Sequence, residues 1–158
     1  MKPRTLLTVA AFVVVIFFIF LSGRSMPIVS NNNHTFVGDL TWYNSYKEGM
    51  SIASQENKPV LVYFWATWCE WCAKLNREVY PDPQVNSILK KKFVLVAINV
   101  DDDKEGIKEK YGVQYPPAEI FVDPEGKVLT KVMGYTPKEN FIPVIEEALR
   151  KFDKSKKN

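Results

Sequence analysis

The sequence predicts a three-layer α/β domain built on a mixed sheet, preceded by a single apolar N-terminal helix. Three observations predict it. Short runs rich in β-branched and aromatic residues, at 60–65, 93–100, 118–122 and 127–133, alternate with stretches of helical periodicity. The last two runs are joined by Asp123-Pro124-Glu125-Gly126, a turn that makes them an antiparallel hairpin. Residues 5–23 carry no charge at all and are bracketed by Arg4 and Arg24.

The uncharged run comes first in the chain. A helix of that length, at about 1.5 Å per residue, approaches the roughly 30 Å thickness of a bilayer's hydrocarbon core. It is apolar on every face, unlike a helix lying on a soluble core. Lys2 and Arg4 precede it, which places the N-terminus in the cytoplasm and the rest outside. A retained signal anchor and a cleaved signal peptide both fit residues 1–24. The long apolar core and the weak cleavage site Leu21-Ser22-Gly23 favour the anchor. No Cys follows the run closely, which excludes lipidation of a mature N-terminal Cys.

Residues 25–38 read as a linker, with Pro27 and the polar run Ser30-Asn31-Asn32-Asn33. His34 is expected there as an incidental surface residue. Asn33-His34-Thr35 matches a glycosylation triplet, which matters only in a eukaryotic secretory pathway. The domain proper is expected at 39–153, with 154–158 as a solvated basic tail. Residues 42–56 have helical spacing, through Tyr43, Tyr46, Met50 and Ala53, and Lys58-Pro59 ends them. Residues 60–65 are a buried strand. Residues 70–79 and 84–92 are helices separated by Pro81 and Pro83. Residues 93–100 are a second strand and 101–111 a polar helix. The hairpin strands follow. Thr136-Pro137-Lys138-Glu139 has the form of a capping box opening the last helix, and Pro143 predicts a kink or a later start.

Composition narrows the function. The chain has 158 residues, 46% of them hydrophobic and 25% charged, the balance of a globular chain. Its net charge of +3 belongs to the N-terminal end. Once Lys2, Arg4 and Arg24 are set aside, 18 Lys and Arg balance 18 Asp and Glu. A nucleic-acid footprint is therefore not expected. Two Cys and one His cannot make a disulfide-stapled scaffold or a four-thiolate zinc module, and no metal or cofactor is expected.

Those two cysteines stand at Cys69 and Cys72, directly after the first buried strand and at the start of a helix. This is a redox arrangement. Cys69 falls at the helix N-terminus, where unpaired N–H groups and the macrodipole favour a thiolate. Cys72 lies one turn further in. The first sulfur attacks a disulfide and the second resolves the mixed disulfide.

On these residues the chain resembles the thioredoxin superfamily over residues 39–152. Phe64-Trp65-Ala66-Thr67-Trp68-Cys69-Glu70-Trp71-Cys72 is similar to its active-site segment. Asn99-Val100-Asp101, Tyr111-Gly112-Val113 and Pro117 with Ile120-Phe121-Val122-Asp123 are similar to the segments that follow. The W-C-x-W-C form, Lys58-Pro59-Val60-Leu61-Val62 before it and Glu78-Val79-Tyr80-Pro81-Asp82-Pro83-Gln84-Val85 after it resemble one branch. That branch is the C-terminal thioredoxin-like domain of the thiol–disulfide reductase DsbD and its stand-alone relatives.

The resemblance implies a thiol–disulfide oxidoreductase acting outside the cytoplasm as a reductant. Its substrates would be mis-oxidised envelope proteins or the haem-attachment cysteines of apocytochrome c. Its electrons would come from a dithiol, such as that of an integral membrane carrier. An oxidase or isomerase of the same fold and a non-catalytic holdase are the alternatives. The resemblance also implies that Pro117 is a cis-proline facing the cysteines, with Pro116 beside it in the substrate loop. Trp68 matches the family's surface Trp and is expected to dock substrate. Trp71 is either part of that rim or a cover for the core. Glu70 disfavours a thiolate on Cys69 and so leans the couple towards reduction.

Two departures stand out. The family's buried Asp, six residues before the first Cys, is Tyr63 here, and its Lys neighbour is Ala97. Glu119, two residues after Pro117, is unexpected in a strand and has two readings: pointing inward it would replace that acid as proton acceptor for Cys72, and pointing outward it is a surface Glu on the strand face or at the strand start.

Overall fold

The computed structural model describes residues 33–37 and 40–157. The predicted anchor, residues 5–23, lies outside the described residues, as does most of the predicted linker. Among the described residues no helix is long and apolar enough to cross a membrane.

Six strands form one sheet: β1 (Asn33–Val37), β2 (Leu40–Tyr43), β3 (Val60–Trp65), β4 (Val94–Asn99), β5 (Ala118–Val122) and β6 (Val128–Met133), in the order β1-β2-β4-β3-β5-β6. The sheet is mixed. β3 and β4 are parallel, in register from Val60↔Val94 to Trp65↔Asn99, and β2 joins β4 in parallel. β5 runs antiparallel to β3 and β6 antiparallel to β5, as the turn residues predict.

Five helices accompany it: α1 (Tyr46–Glu56), α2 (Glu70–Glu78), α3 (Pro83–Lys92), α4 (Ile107–Lys110) and α5 (Lys138–Ser155). The two faces of the sheet bury two separate clusters, because side chains alternate along each strand. Leu61, Tyr63, Leu95, Ala97 and Phe121 pack against α2, α3 and α5 through Cys72, Leu75, Leu89, Phe141 and Ile145. Val60, Val62, Phe64, Val96 and Ile120 pack against α1 and α4 through Tyr46, Ala53 and Ile107. α1 lies close on the sheet because Gly49 has no side chain: a Cβ there would collide with Cγ2 of Val96.

Four expectations need correction. The linker cannot extend over 25–38, because residues 33–37 are strand β1, paired antiparallel to β2 with His34 opposite Trp42. Residues 42–56 are not one helix. Trp42 and Tyr43 belong to β2, and the helix begins at Tyr46 after Ser45, whose Oγ accepts from Glu48 N–H at 3.2 Å. Two strand residues fit inside a helical spacing pattern, so periodicity alone could not separate them. The expected helix at 101–111 shrinks to α4. Nor are residues 154–157 simply a solvated tail: α5 runs through Ser155, and Lys156 donates to the Asn57 carbonyl at 3.2 Å and sits 4.1 Å from the Phe152 ring centroid.

The start of α5 also differs from its sequence signature. Pro137, not Thr136, occupies the cap position, with no side-chain cap. Pro143 lies within a continuous helix, in its second turn, where its missing N–H removes one bond.

Candidate active site

β3, a central strand, delivers the chain to one end of the sheet. Ala66-Thr67-Trp68 then turns it, with Cys69 N–H donating to the Ala66 carbonyl at 3.3 Å. Cys69 is the cap of α2: its φ of −86° and ψ of 100° are extended, and its Sγ accepts from the Cys72 N–H at 3.1 Å. The two cysteines are joined in a disulfide across a Cα–Cα distance of 5.2 Å. Cys69 is 6% exposed and Cys72 2%, so a partner reaches the couple from the Cys69 side. When the bond is reduced, the first turn of α2 offers its N–H groups and dipole to a thiolate on Cys69.

The Pro116–Pro117 peptide bond is cis. Pro117 is buried and Pro116 half-buried. β5 begins immediately after, and its Ala118 pairs with Phe64 of β3. Pro117 therefore sits at the end of the sheet from which Cys69 departs. Its carbonyl accepts from Gly134 N–H at 2.8 Å, tying this loop to the one after β6.

Two indoles flank the couple. Trp68 is 61% exposed, and its Nε1 donates to Asp101 Oδ2 at 2.8 Å. Trp71 is 56% exposed and lies against Tyr135, ring centroids 5.4 Å apart, with Lys74 Nζ 4.6 Å from the Tyr135 ring. Trp71 thus covers a neighbouring ring rather than the core. Glu70 is exposed and lines a shallow groove along α2 with Trp71, Lys74 and Arg77.

On the sheet face that packs against the cysteines lie Trp42, Tyr63 and Ala97, with Glu119 in register beside Tyr63. Tyr63 pairs with Ala97 of β4 on one side and with Glu119 of β5 on the other. Trp42 of β2 packs its ring on that of Tyr63, centroids 5.7 Å apart. A buried carboxyl, Glu119, thus stands on β5 beside Tyr63, the position where the family has its Asp. Glu119 is fully buried, with Oε1 accepting from the Tyr80 hydroxyl at 3.1 Å. Burial pushes its pKa up to about 8, against a smaller lowering by the Tyr80 hydrogen bond. Tyr63 and Tyr80 are both held above the usual phenol range, first by burial and then by the neighbouring Glu119. The Tyr63 hydroxyl points the other way, towards the Cys72 carbonyl at 3.5 Å and Asn76 Oδ1 at 3.4 Å.

Sequence reasoning missed Trp42, Asn76, Tyr80 and Asp101. Asn76 had a signal, one turn after Cys72 on the same helix. Tyr80 had none, since it follows α2 and meets Glu119 only through the fold. Among the described residues no group of three or more His, Cys, Asp or Glu side chains is placed to hold a metal ion.

Comparison with known proteins decides the family. The Thioredoxin-like domain matches residues 46–149. The chain belongs to the thioredoxin-like family. It is 36% identical over 98 residues to rice "Thioredoxin-like protein HCF164, chloroplastic", covering 61% of this chain and 35% of the relative. It is 29% identical over 105 residues to the thiol:disulfide interchange protein DsbD of Ralstonia nicotianae, covering 65% of this chain and 17% of the relative. The disulfide bond reductase DsbH of Chlamydia pneumoniae is 26% identical over 125 residues, 72% of this chain and 70% of the relative. A solution structure of a thioredoxin from Thermus thermophilus superposes with a TM-score of 0.62 at 26% identity, covering 68% of this chain and 85% of that one. The chain therefore spans about a third of HCF164 and less than a fifth of DsbD. The chain thus shares the thioredoxin-like family with relatives that include the DsbD proteins its W-C-x-W-C segment resembles, and it carries a Cys69–Cys72 pair.

Proposed function

We propose that this thioredoxin-like protein reduces protein disulfides outside the cytoplasm, held at the membrane by residues 5–23. The observation that carries the reading is the buried Cys69–Cys72 couple at the N-terminus of α2, at the same sheet end as cis-Pro117. Cys69 is the nucleophile. Its thiolate attacks a substrate sulfur, and one substrate thiolate leaves and takes up a proton. Cys72 then gives its proton to the Glu119 carboxylate and attacks the Cys69 sulfur. The second substrate thiolate leaves, the Cys69–Cys72 disulfide forms, and two electrons have passed to the substrate. Pro117 and Pro116 shape the loop that receives the substrate backbone. Trp68 and Trp71 offer apolar contact beside the couple, and Glu70 sets a carboxylate next to Cys69. A second dithiol returns the electrons, and the likeness to DsbD supports a membrane-embedded donor.

The test is insulin reduction by the full chain, alongside Cys69→Ser and Cys72→Ser. Turnover in the wild type and none in the variants is expected. Equal rates in all three would leave a non-catalytic binding module. The reduction potential then sets direction: a value near roughly −270 mV supports the reductant, and one near roughly −120 mV an oxidant. Cys72→Ser in the native envelope should trap the partners as mixed disulfides.

A further inference from the structure

The unused chemistry of this fold is concentrated around Glu119. Its Oε2 is buried and has no hydrogen-bond partner among the described residues, and the same is true of Trp42 Nε1. The rings of Trp42, Tyr63 and Tyr80 pack on one another, at 5.7, 5.3 and 5.2 Å between centroids, and close the space beside the carboxyl. Phe141 of α5 backs Tyr80 at 6.1 Å, and Val132 of β6 is Glu119's registered neighbour. The titratable groups bearing on Glu119 are therefore Tyr63 from β3 and Tyr80 from the segment after α2. Tyr63 spends its hydroxyl on α2, leaving Tyr80 as the group that holds the carboxyl.

The two carboxyl oxygens are not equivalent in this arrangement. A Tyr hydroxyl has one proton to donate, and Tyr80 gives it to Oε1. A neutral Glu119 then carries its own proton on Oε2, and an ionised one has its unengaged lone pairs there. We infer that Tyr80 is a positioning residue. By fixing Oε1 of Glu119 it makes Oε2 the atom that exchanges a proton with the Cys72 thiol, and it stabilises the carboxylate that must form to accept that proton. The inference rests on the proposed role of Glu119 and adds to it the residue that tunes it. The transfer balances: the Cys72 S–H bond breaks, an Oε2–H bond forms, and the proton leaves later to a substrate thiolate.

The resolving step can be followed directly. Reduced full-length protein in detergent micelles is mixed with 5,5′-dithiobis(2-nitrobenzoate) in a stopped-flow instrument. The first thionitrobenzoate released reports Cys69 attack. The second, a unimolecular phase, reports Cys72, and its rate is measured from pH 5 to 10. Glu119→Gln should abolish the inflection that Glu119 gives this profile. Tyr80→Phe, which keeps the ring, should keep the inflection and move its midpoint up by about one pH unit. Below the midpoint the rate should fall about tenfold, the cost of losing one hydrogen bond to a charged group. The double variant should match Glu119→Gln. An inflection that survives Glu119→Gln would overturn the role of Glu119. An inflection lost in Glu119→Gln but unmoved in Tyr80→Phe would overturn the role of Tyr80 alone. Should Tyr80→Phe fail to fold, 3-fluorotyrosine placed at position 80, a stronger donor, should move the midpoint down; no movement overturns the inference.

Discussion

Glu119→Gln should change the pH dependence of stability in the oxidised protein, where the cysteines do not titrate. Glu119 has a pKa of about 8 in the folded chain against an ordinary value of 4.5, because burial penalises its charge. Between these values the unfolded chain has released the proton and the folded chain has kept it. The folded state therefore binds more protons, and stability falls as pH rises through this window. Each pH unit is worth about 1.4 kcal/mol, so the loss accumulates to roughly 5 kcal/mol by pH 8 and then levels off. Glutamine is neutral throughout and keeps an oxygen for the Tyr80 hydroxyl. It also buries an extra N–H pair, a cost of about 1–3 kcal/mol that does not vary with pH. The slope, not the offset, is thus the readout. Urea unfolding of oxidised wild type and Glu119→Gln at pH 5 to 9 should give a difference that grows in favour of the variant up to about pH 8. Asp82 and Glu147, whose carboxyls are held low chiefly by hydrogen bonds from Lys138 and Lys151, lose their contribution only on the acid side of the window. Parallel slopes in the two proteins would refute the claim that Glu119 is buried as a neutral acid.

Gly49→Ala should cost about 1–3 kcal/mol in urea unfolding, because its methyl group has to displace Val96 or lift α1 from the sheet. Adding Val96→Ala should recover less than the full loss, since it opens a void elsewhere on that face. Trp68→Ala should raise KM for a protein disulfide several-fold, as expected for truncating an aromatic contact worth about 1–2 kcal/mol. Its kcat and reduction potential should change little, and an unchanged KM would remove Trp68 from the docking surface.

Some of the site was legible because it is local. Cys69, Cys72 and the helix that begins at Glu70 are set by a few consecutive residues: a β-rich run, a turn, a helix start. The hairpin of β5 and β6 was legible for the same reason, since Asp123-Pro124-Glu125-Gly126 is a turn in any context. Pro117 came from the family resemblance of the segment around it, and Glu119 from its oddity in a strand. The boundary at Trp42 was not legible. Two strand residues running into a helix share apolar positions with a longer helix, and only pairing with β1 and β4 separates them. β1 itself is polar enough to read as linker, and its partner strand makes it a strand.

Reading residues in order was enough to find a cysteine couple at a strand-to-helix junction, in a chain that resembles a family using such couples for disulfide exchange. It also showed that the family's usual acid was absent and that one carboxyl stood where a strand should be apolar. What surrounds that carboxyl emerges only from the folded chain. Trp42, Tyr63, Tyr80 and Glu119 come from three strands and a connecting segment. Their meeting depends on strand order and register, and register decides which face each side chain takes. The environment of Glu119 is a product of burial, which no local stretch of sequence encodes.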